Sequence, residues 1–98
     1  MIRSGRKTVT TAGAAERLAA TTPADWLMIQ AESDNTGNVC IGGSNVVAAT
    51  GSRVGVFVEE SVAFGTPVFI PGPLDLTDVH VDVTVNGDGV HFIYMERS

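Results

Sequence analysis

The stretch from Val79 to Met95 constrains the fold of this chain more than any other part of the sequence. Between Val79 and Val85, apolar and polar residues alternate with period two, which is typical of a β-strand with one buried face. The next four residues, Asn-Gly-Asp-Gly at 86–89, favour a turn, and a second β-prone run follows them. The stretch therefore predicts a β-hairpin. Its expected cross-strand pairs are Val85 with Val90, Val83 with Phe92 and Val81 with Tyr94.

The rest of the chain must supply further strands, because an isolated hairpin is only marginally stable in water. Glycine- and proline-rich turns separate several short β-prone runs, and Pro71-Gly72-Pro73 is a segment that no central strand can cross. The predicted runs are Lys7–Thr11, Asp25–Ser33, Asn38–Ile41, Val46–Thr50, Arg53–Val58, Val62–Phe64 and Val68–Ile70. Seven or eight short strands in one small chain predict a single all-β sandwich or small barrel over residues 8–98.

Alternation within the runs separates core positions from outward positions. The apolar faces are predicted to form the core: Leu27, Ile29, Ala31, Val39, Ile41, Val81, Val83, Val85, Phe92 and Tyr94. Trp26, Met28, Ile93 and Met95 lie on the opposite faces, which are apolar at one end. These four are candidate subunit contacts, because a domain of 98 residues gains little net stability from its own core. A core tryptophan near one end of the sandwich is an equally open interpretation of Trp26.

Charge is unevenly distributed along the chain, whose net charge is −5. Residues 1–17 hold four cations and one carboxylate, whereas the remainder holds two cations and ten carboxylates. An acidic body argues against nucleic acid as a partner. Residues 1–7 are predicted to form a flexible basic arm, either a solvated terminus or an arm that docks onto an acidic partner surface. No run of eighteen apolar residues is present, so no membrane partner is expected.

The sequence predicts no enzyme and no cofactor. It lacks nucleotide-binding glycine motifs, and Gly-Gly-Ser at 42–44 lacks the following glycine and helix of a nucleophile elbow. In the predicted hairpin, His80 and His91 would lie about 13 Å apart, too far to share one zinc ion. Cys40 has no basic neighbour in sequence and is interpreted as a packed residue, not a reactive thiol. We therefore expect no catalytic, cofactor-binding or metal-binding residues.

Three short motifs follow one another along the chain. The first is Val-Thr-Thr-Ala-Gly at 9–13, the second is Asn-Thr-Gly-Asn-Val-Cys-Ile-Gly at 35–42, and the third is Asp-Leu-Thr-Asp-Val-His-Val at 75–81. In this order and spacing, the chain resembles small β-rich structural proteins of tailed bacteriophages over residues 8–95. The group often has an aromatic residue where this chain has Cys40, so the packing of that face departs from the pattern.

The resemblance implies a jelly-roll-like β-sandwich, commonly a homotrimer, that serves as a capsid decoration (cement) protein. Such a protein is made in the host cytoplasm and binds the phage major capsid protein on the outer capsid surface, between capsomers, where it stabilises the head. On this hypothesis Ile2, Arg3, Arg6 and Lys7 of the arm contact the capsid. A head-fibre or tail-associated receptor- or glycan-binding module is the alternative, and a soluble cellular β-domain is a third. The resemblance implies no catalytic residues.

Overall fold

The computed structural model describes residues 1–32, 35–49, 51–58 and 67–97. Within these ranges there are eight strands, and one 3-10 turn, Leu76–Asp78, precedes the seventh strand. The strands are β1 Ile2–Thr8, β2 Glu16–Arg17, β3 Pro23–Ala31, β4 Val39–Gly42, β5 Val56–Val58, β6 Val68–Asp75, β7 His80–Val83 and β8 Gly89–Glu96. The strand predicted at Val62–Phe64 lies outside the described residues. The run predicted from Val46 forms only an isolated bridge, between Val47 and Val54.

The strands pair antiparallel in two four-stranded sheets. Sheet A has the order β1-β8-β3-β6, and sheet B has the order β2-β7-β4-β5. The first strand pairs with the last, the second with the seventh, the third with the sixth and the fourth with the fifth. Nested pairs of this kind describe one long hairpin rolled into two sheets, which is the jelly-roll arrangement. The predicted all-β sandwich of seven or eight antiparallel strands is therefore confirmed.

The main core lies between the two sheets. Both sheets contribute alternate residues to it, as period-two side-chain geometry requires. Of the residues assigned to the core from the sequence, eight are buried there: Leu27, Ile29, Ala31, Val39, Ile41, Val81, Val83 and Phe92. Tyr94 is partly buried and packs beside Phe92, with ring centroids 5.9 Å apart. The same core also contains Val9, Leu18, Ala24, Leu76, Val79 and Val90.

The hairpin predicted over Val79–Met95 is wrong, although both of its strands are present. The β7 strand pairs with β2 and β4 in sheet B, whereas β8 pairs with β1 and β3 in sheet A. Residues 84–88 cross between the sheets, so Val83 and Phe92 enter the core from opposite sides instead of pairing in one ladder. Val85 lies in this crossing and is 40% exposed, so it is not a core residue. Turn chemistry shows where a chain reverses, but it does not specify the strand with which the next segment pairs.

The prediction of a flexible arm is also wrong, because Ile2–Thr8 forms edge strand β1 of sheet A. All seven of its residues pair in continuous register with β8. Gly5 lies opposite Phe92, and a Cβ atom added at Gly5 would be 2.6 Å from the tip of that ring. An aromatic ring laid across a glycine in an edge strand replaces the packing that the glycine lacks. The segment therefore belongs to the folded body.

The cations of β1 pair with carboxylates of the same chain. The ion pairs are Arg3 with Glu96 at 3.3 Å, Arg6 with Glu32 at 2.6 Å and Lys7 with Glu16 at 2.9 Å. The Lys7 ammonium and the backbone N–H of Thr10 hold the pKa of Glu16 below its usual range. The acidic surface on which residues 1–7 dock is therefore the protein's own, and the four proposed capsid contacts are part of a strand.

One buried carboxylate joins the turn at 86–89 to the turn of the second motif, at 35–37. Asp88 is 5% exposed and accepts hydrogen bonds from the backbone N–H groups of Thr36, at 3.0 Å, and Gly37, at 2.7 Å. The side-chain amide of Asn35 both donates to and accepts from the backbone of Gly89, at 2.9 Å in each case. These bonds hold the β7–β8 crossing against the β3–β4 connection.

Replacing Asp88 with alanine should lower the free energy of unfolding by about 2–3 kcal/mol, because two backbone N–H groups lose a charged acceptor. Thermal unfolding followed by circular dichroism should show a fall of roughly 10 °C or more in the midpoint. Asp78→Ala removes a carboxylate from an exposed position and should change stability by less than about 0.5 kcal/mol. Equal midpoints for the two variants would contradict the role assigned to Asp88.

Candidate interaction surface

Loops of the chain itself cover the outward face of sheet B. Cys40 of β4 and Asp82 of β7 point away from the main core, yet they are 0% and 1% exposed. Ala15, Val46 and Ala48 from the connecting loops form a second, smaller cluster with Cys40. Burial raises the pKa of the Cys40 thiol, which favours its protonated form and suits a packing role. Cys40 and Asp82 are therefore buried on the side of sheet B that faces away from the main core.

Asp82 is the main polar residue beneath this cover. Its Oδ1 accepts a hydrogen bond from the N–H of Gly13 at 3.0 Å, and its Oδ2 accepts one from the N–H of Ala48 at 2.8 Å. The carboxylate thus ties the loop before β2 and the loop after β4 to one strand. The sequence pattern placed Asp82 on an exposed polar face, because period-two alternation does not show that loops will cover that face.

The outward face of sheet A carries large apolar side chains that remain in contact with solvent. We call this surface the outer apolar face and define it by six residues: Ile2, Trp26, Met28, Phe69, Ile93 and Met95. Ile2, Phe69 and Ile93 are 60%, 54% and 39% exposed. Met28 is central, because it pairs with Ile93 on one side and with Phe69 on the other. All four residues predicted to be subunit contacts lie on this face.

A cavity of about 360 Å³ opens on the outer apolar face, beside β1, β8 and β3. The residues that line it are Ser4, Gly5, Met28, Gln30, Pro67, His91, Phe92 and Ile93. None of them is a carboxylate, and its polar wall includes Gln30 and His91, whose Oε1 and Nε2 atoms lie 3.1 Å apart. The volume is near the lower end of the range for ligand pockets, about 300–1,000 Å³. Its lining suits an apolar or aromatic group.

The two histidines do not share a site. His80 lies in β7 of sheet B and His91 in β8 of sheet A, so the two residues do not belong to one hairpin as predicted. Across the described ranges, no three His, Cys, Asp or Glu side chains are grouped as a metal site requires.

Sequence reasoning missed two members of the outer apolar face. It assigned Ile2 to a flexible arm, and it left Phe69 in a three-residue run between prolines, which is too short to define a face. In the structure β6 continues through Pro71 and Pro73 to Asp75, which is possible because β6 is an edge strand. The useful signal was the pair of prolines, Pro71 and Pro73, because proline within a β-prone run indicates an edge strand.

Comparison of the chain with protein-family models, with curated proteins and with solved structures found no match. In the part of the chain that the structure describes, no helix has the length and apolar character needed to cross a membrane. Function must therefore be inferred from the surface itself.

Proposed function

We propose that this chain is a non-enzymatic structural protein of a tailed-phage virion. In this role it decorates the outer capsid surface, binds the major capsid protein between capsomers and stabilises the head. The motif resemblance over residues 8–95 supports the proposal, and the jelly-roll fold is of the type that the resemblance implies. The main observation in support of the proposal is the outer apolar face, because exposed apolar surfaces of this kind mark sites of protein association.

Two properties of the molecule suit an assembly role. The outer apolar face is rich in tryptophan, methionine and phenylalanine, residue types that are enriched in protein interfaces. It also rests on four hydrogen-bonded strands, so little conformational entropy is lost when a partner binds. The buried carboxylates of Asp82 and Asp88 accept hydrogen bonds from backbone N–H groups, which supports a structural role for both.

Co-sedimentation with undecorated capsids tests the proposed function. The protein should pellet with the capsids, the bound amount should saturate at a fixed ratio to the capsid protein, and decorated heads should resist heating better than bare ones. Many weak contacts made at once give such binding its strength. Capsids that already carry their full complement serve as the control and should bind no more. Protein that remains in the supernatant with bare capsids would contradict the proposal.

A receptor- or glycan-binding module of a fibre or tail is the second candidate. The observation that favours it is the pair formed by Trp26 and Phe69, whose ring centroids lie 6.1 Å apart and whose planes are tilted by 33°. Aromatic side chains at a surface offer an apolar platform with specific geometry. Binding to immobilised bacterial surface glycans, lost in Trp26→Ala and absent from the capsid assay, would favour this candidate.

A further inference from the structure

We infer that the outer apolar face binds the same face of a second copy of this chain, with Phe69 of each copy entering the cavity of the other. The inference concerns the free protein and uses the same face as the proposed function, so contact between copies and contact with the capsid are alternatives at this face. It assigns a function to the cavity, which is filled by an aromatic side chain of the partner copy. A closed twofold contact of this kind builds a dimer, whereas the resemblance implies a homotrimer.

The first step is the contrast between the two sheets. The chain covers Cys40 and Asp82 on the outward side of sheet B with its own loops, but it leaves Phe69 and Ile93 of sheet A exposed. The sheet has four strands, and strands of about eight residues at about 3.3 Å per residue and 4.8 Å spacing cover roughly 500 Å². Two such faces would together bury about 1,000 Å², which is the lower limit for a specific interface.

The second step is the arrangement of the strands. β3 is flanked by β8 on one side and by β6 on the other. A twofold axis that runs along β3 in the plane of contact therefore lays β6 of one copy over β8 of the other. Met28 pairs with both Ile93 and Phe69, so these three residues form one row across the sheet. Phe69 of one copy then lies over Ile93 of the other, beside the cavity, and the two Met28 side chains meet on the axis.

The third step is the fit of the ring to the cavity. A dry cavity of about 150 Å³ is large enough to bind benzene. The cavity beside Ile93 has a volume of about 360 Å³, which is enough for a phenyl ring together with the adjustment of neighbouring side chains. Phe69 is 54% exposed in the single chain, so its transfer into an apolar cavity is favourable.

The fourth step gives the features that disfavour the edges of sheet A as the contact between copies. If β1 paired antiparallel with β1 of a copy about Gly5, Arg3 would lie opposite Lys7, and like charges in that position are destabilising. The other edge, β6, contains Pro71 and Pro73, which have no N–H to donate. The outer apolar face is the remaining candidate for the contact between copies. Each copy carries a net charge of −5, but no carboxylate lines the cavity on this face.

The mass of the protein in solution, measured by light scattering over a wide concentration range, tests the inference. Wild-type protein should have twice the chain mass of 10.2 kDa at high concentration. Ile93→Asp and Phe69→Ser should each raise the dissociation constant about 30-fold or more, as expected for central contacts of an interface. Val56→Asp is the matched control, since Val56 is a 50% exposed strand residue of sheet B, and it should dimerise like wild type.

Circular dichroism should show the same β-sheet spectrum for all three variants at a concentration where each is monomeric, so that loss of folding is distinguished from loss of contact. Increased salt should strengthen the dimer, because it screens the repulsion between two acidic copies. A wild-type monomer at every concentration, a trimer, or a dimer that Ile93→Asp leaves intact would each overturn the inference. A negative result in the capsid assay would not contradict the dimer. A monomeric wild-type protein would contradict the dimer but not the proposed binding to capsids.

Discussion

Removal of residues 2–8 is expected to prevent the chain from folding as a stable domain. The deletion takes away β1, so all of the β8 backbone groups that pair with it become an open edge. It also uncovers Phe92 and the fully buried Val90, and it leaves the buried Glu32 without Arg6. A small domain has a stability of only about 5–15 kcal/mol, and loss of a whole strand removes a large part of it. Chemical denaturation should show no cooperative transition or one at much lower denaturant concentration.

Two point variants distinguish the contribution of the ion pairs of β1 from the contribution of its packing. Arg3→Ala removes an ion pair whose two side chains are 50% and 38% exposed, so it should change stability by less than about 1 kcal/mol. Gly5→Val keeps the strand but forces a side chain against the ring of Phe92, and it should cost about 1–3 kcal/mol. If the truncated protein unfolded cooperatively at the wild-type midpoint, residues 2–8 would be the free arm that the charge pattern indicates.

Replacement of Asp82 with alanine is expected to be the most damaging single substitution of a polar residue in this chain. The backbone N–H groups of Gly13 and Ala48 would each lose a carboxylate oxygen, and Ala48 is fully buried. Loss of two charge-assisted hydrogen bonds, with one donor left unpaired in the interior, should cost about 3–5 kcal/mol. For a domain of this size the thermal midpoint should fall by more than about 10 °C.

The isosteric variant Asp82→Asn refines this prediction. It keeps one acceptor oxygen but turns an amide NH₂ toward a second N–H donor, so its stability should lie between those of wild type and Asp82→Ala. Hydrogen exchange should be faster at the amides of Gly13 and Ala48 in both variants and unchanged at Gly37, which Asp88 holds. Protection at Gly13 and Ala48 that matched wild type would contradict the contacts assigned to Asp82.

Much of the fold was predictable from local patterns. The alternation in 26–32 and 79–85 identified two strands and placed Leu27, Ile29, Val81 and Val83 on their buried sides. Pairing was not predictable, because the nested arrangement joins β1 to β8, segments at opposite ends of the chain. The turn at 86–89 contains the residues of a hairpin but serves as a crossing, since the long-range partners of β7 and β8 lie in different sheets.

The charge pattern predicted that the N-terminal cations dock on an acidic surface, but it did not identify that surface. Four cations in the first seventeen residues favour docking on an acidic surface, and the structure supplies that surface through Glu16, Glu32 and Glu96. Electrostatics summed over a sequence cannot distinguish contact within the chain from contact between chains. The ion pairs and the register of β1 make that distinction.

The sequence pattern identified part of the outer apolar face. Trp26, Met28, Ile93 and Met95 were conspicuous because they interrupt the expected polar side of two strands. Phe69 and the cavity depend on the order β8-β3-β6, which places residues from three distant segments in one row. A sequence pattern identifies an unusual face, but only the topology shows which side chains meet on it.

Cross-linking through Met28→Cys tests the twofold contact most directly. Packed sheets lie about 10 Å apart, too far for a disulfide between facing residues, so a short bifunctional maleimide is the suitable reagent. Cys40, the natural cysteine, is fully buried and should not react in the folded protein. Met28→Cys should give a covalent dimer in high yield at high protein concentration, whereas Val56→Cys on sheet B should remain a single chain. Equal yields from the two variants, or no dimer from Met28→Cys, would contradict the contact through the outer apolar face.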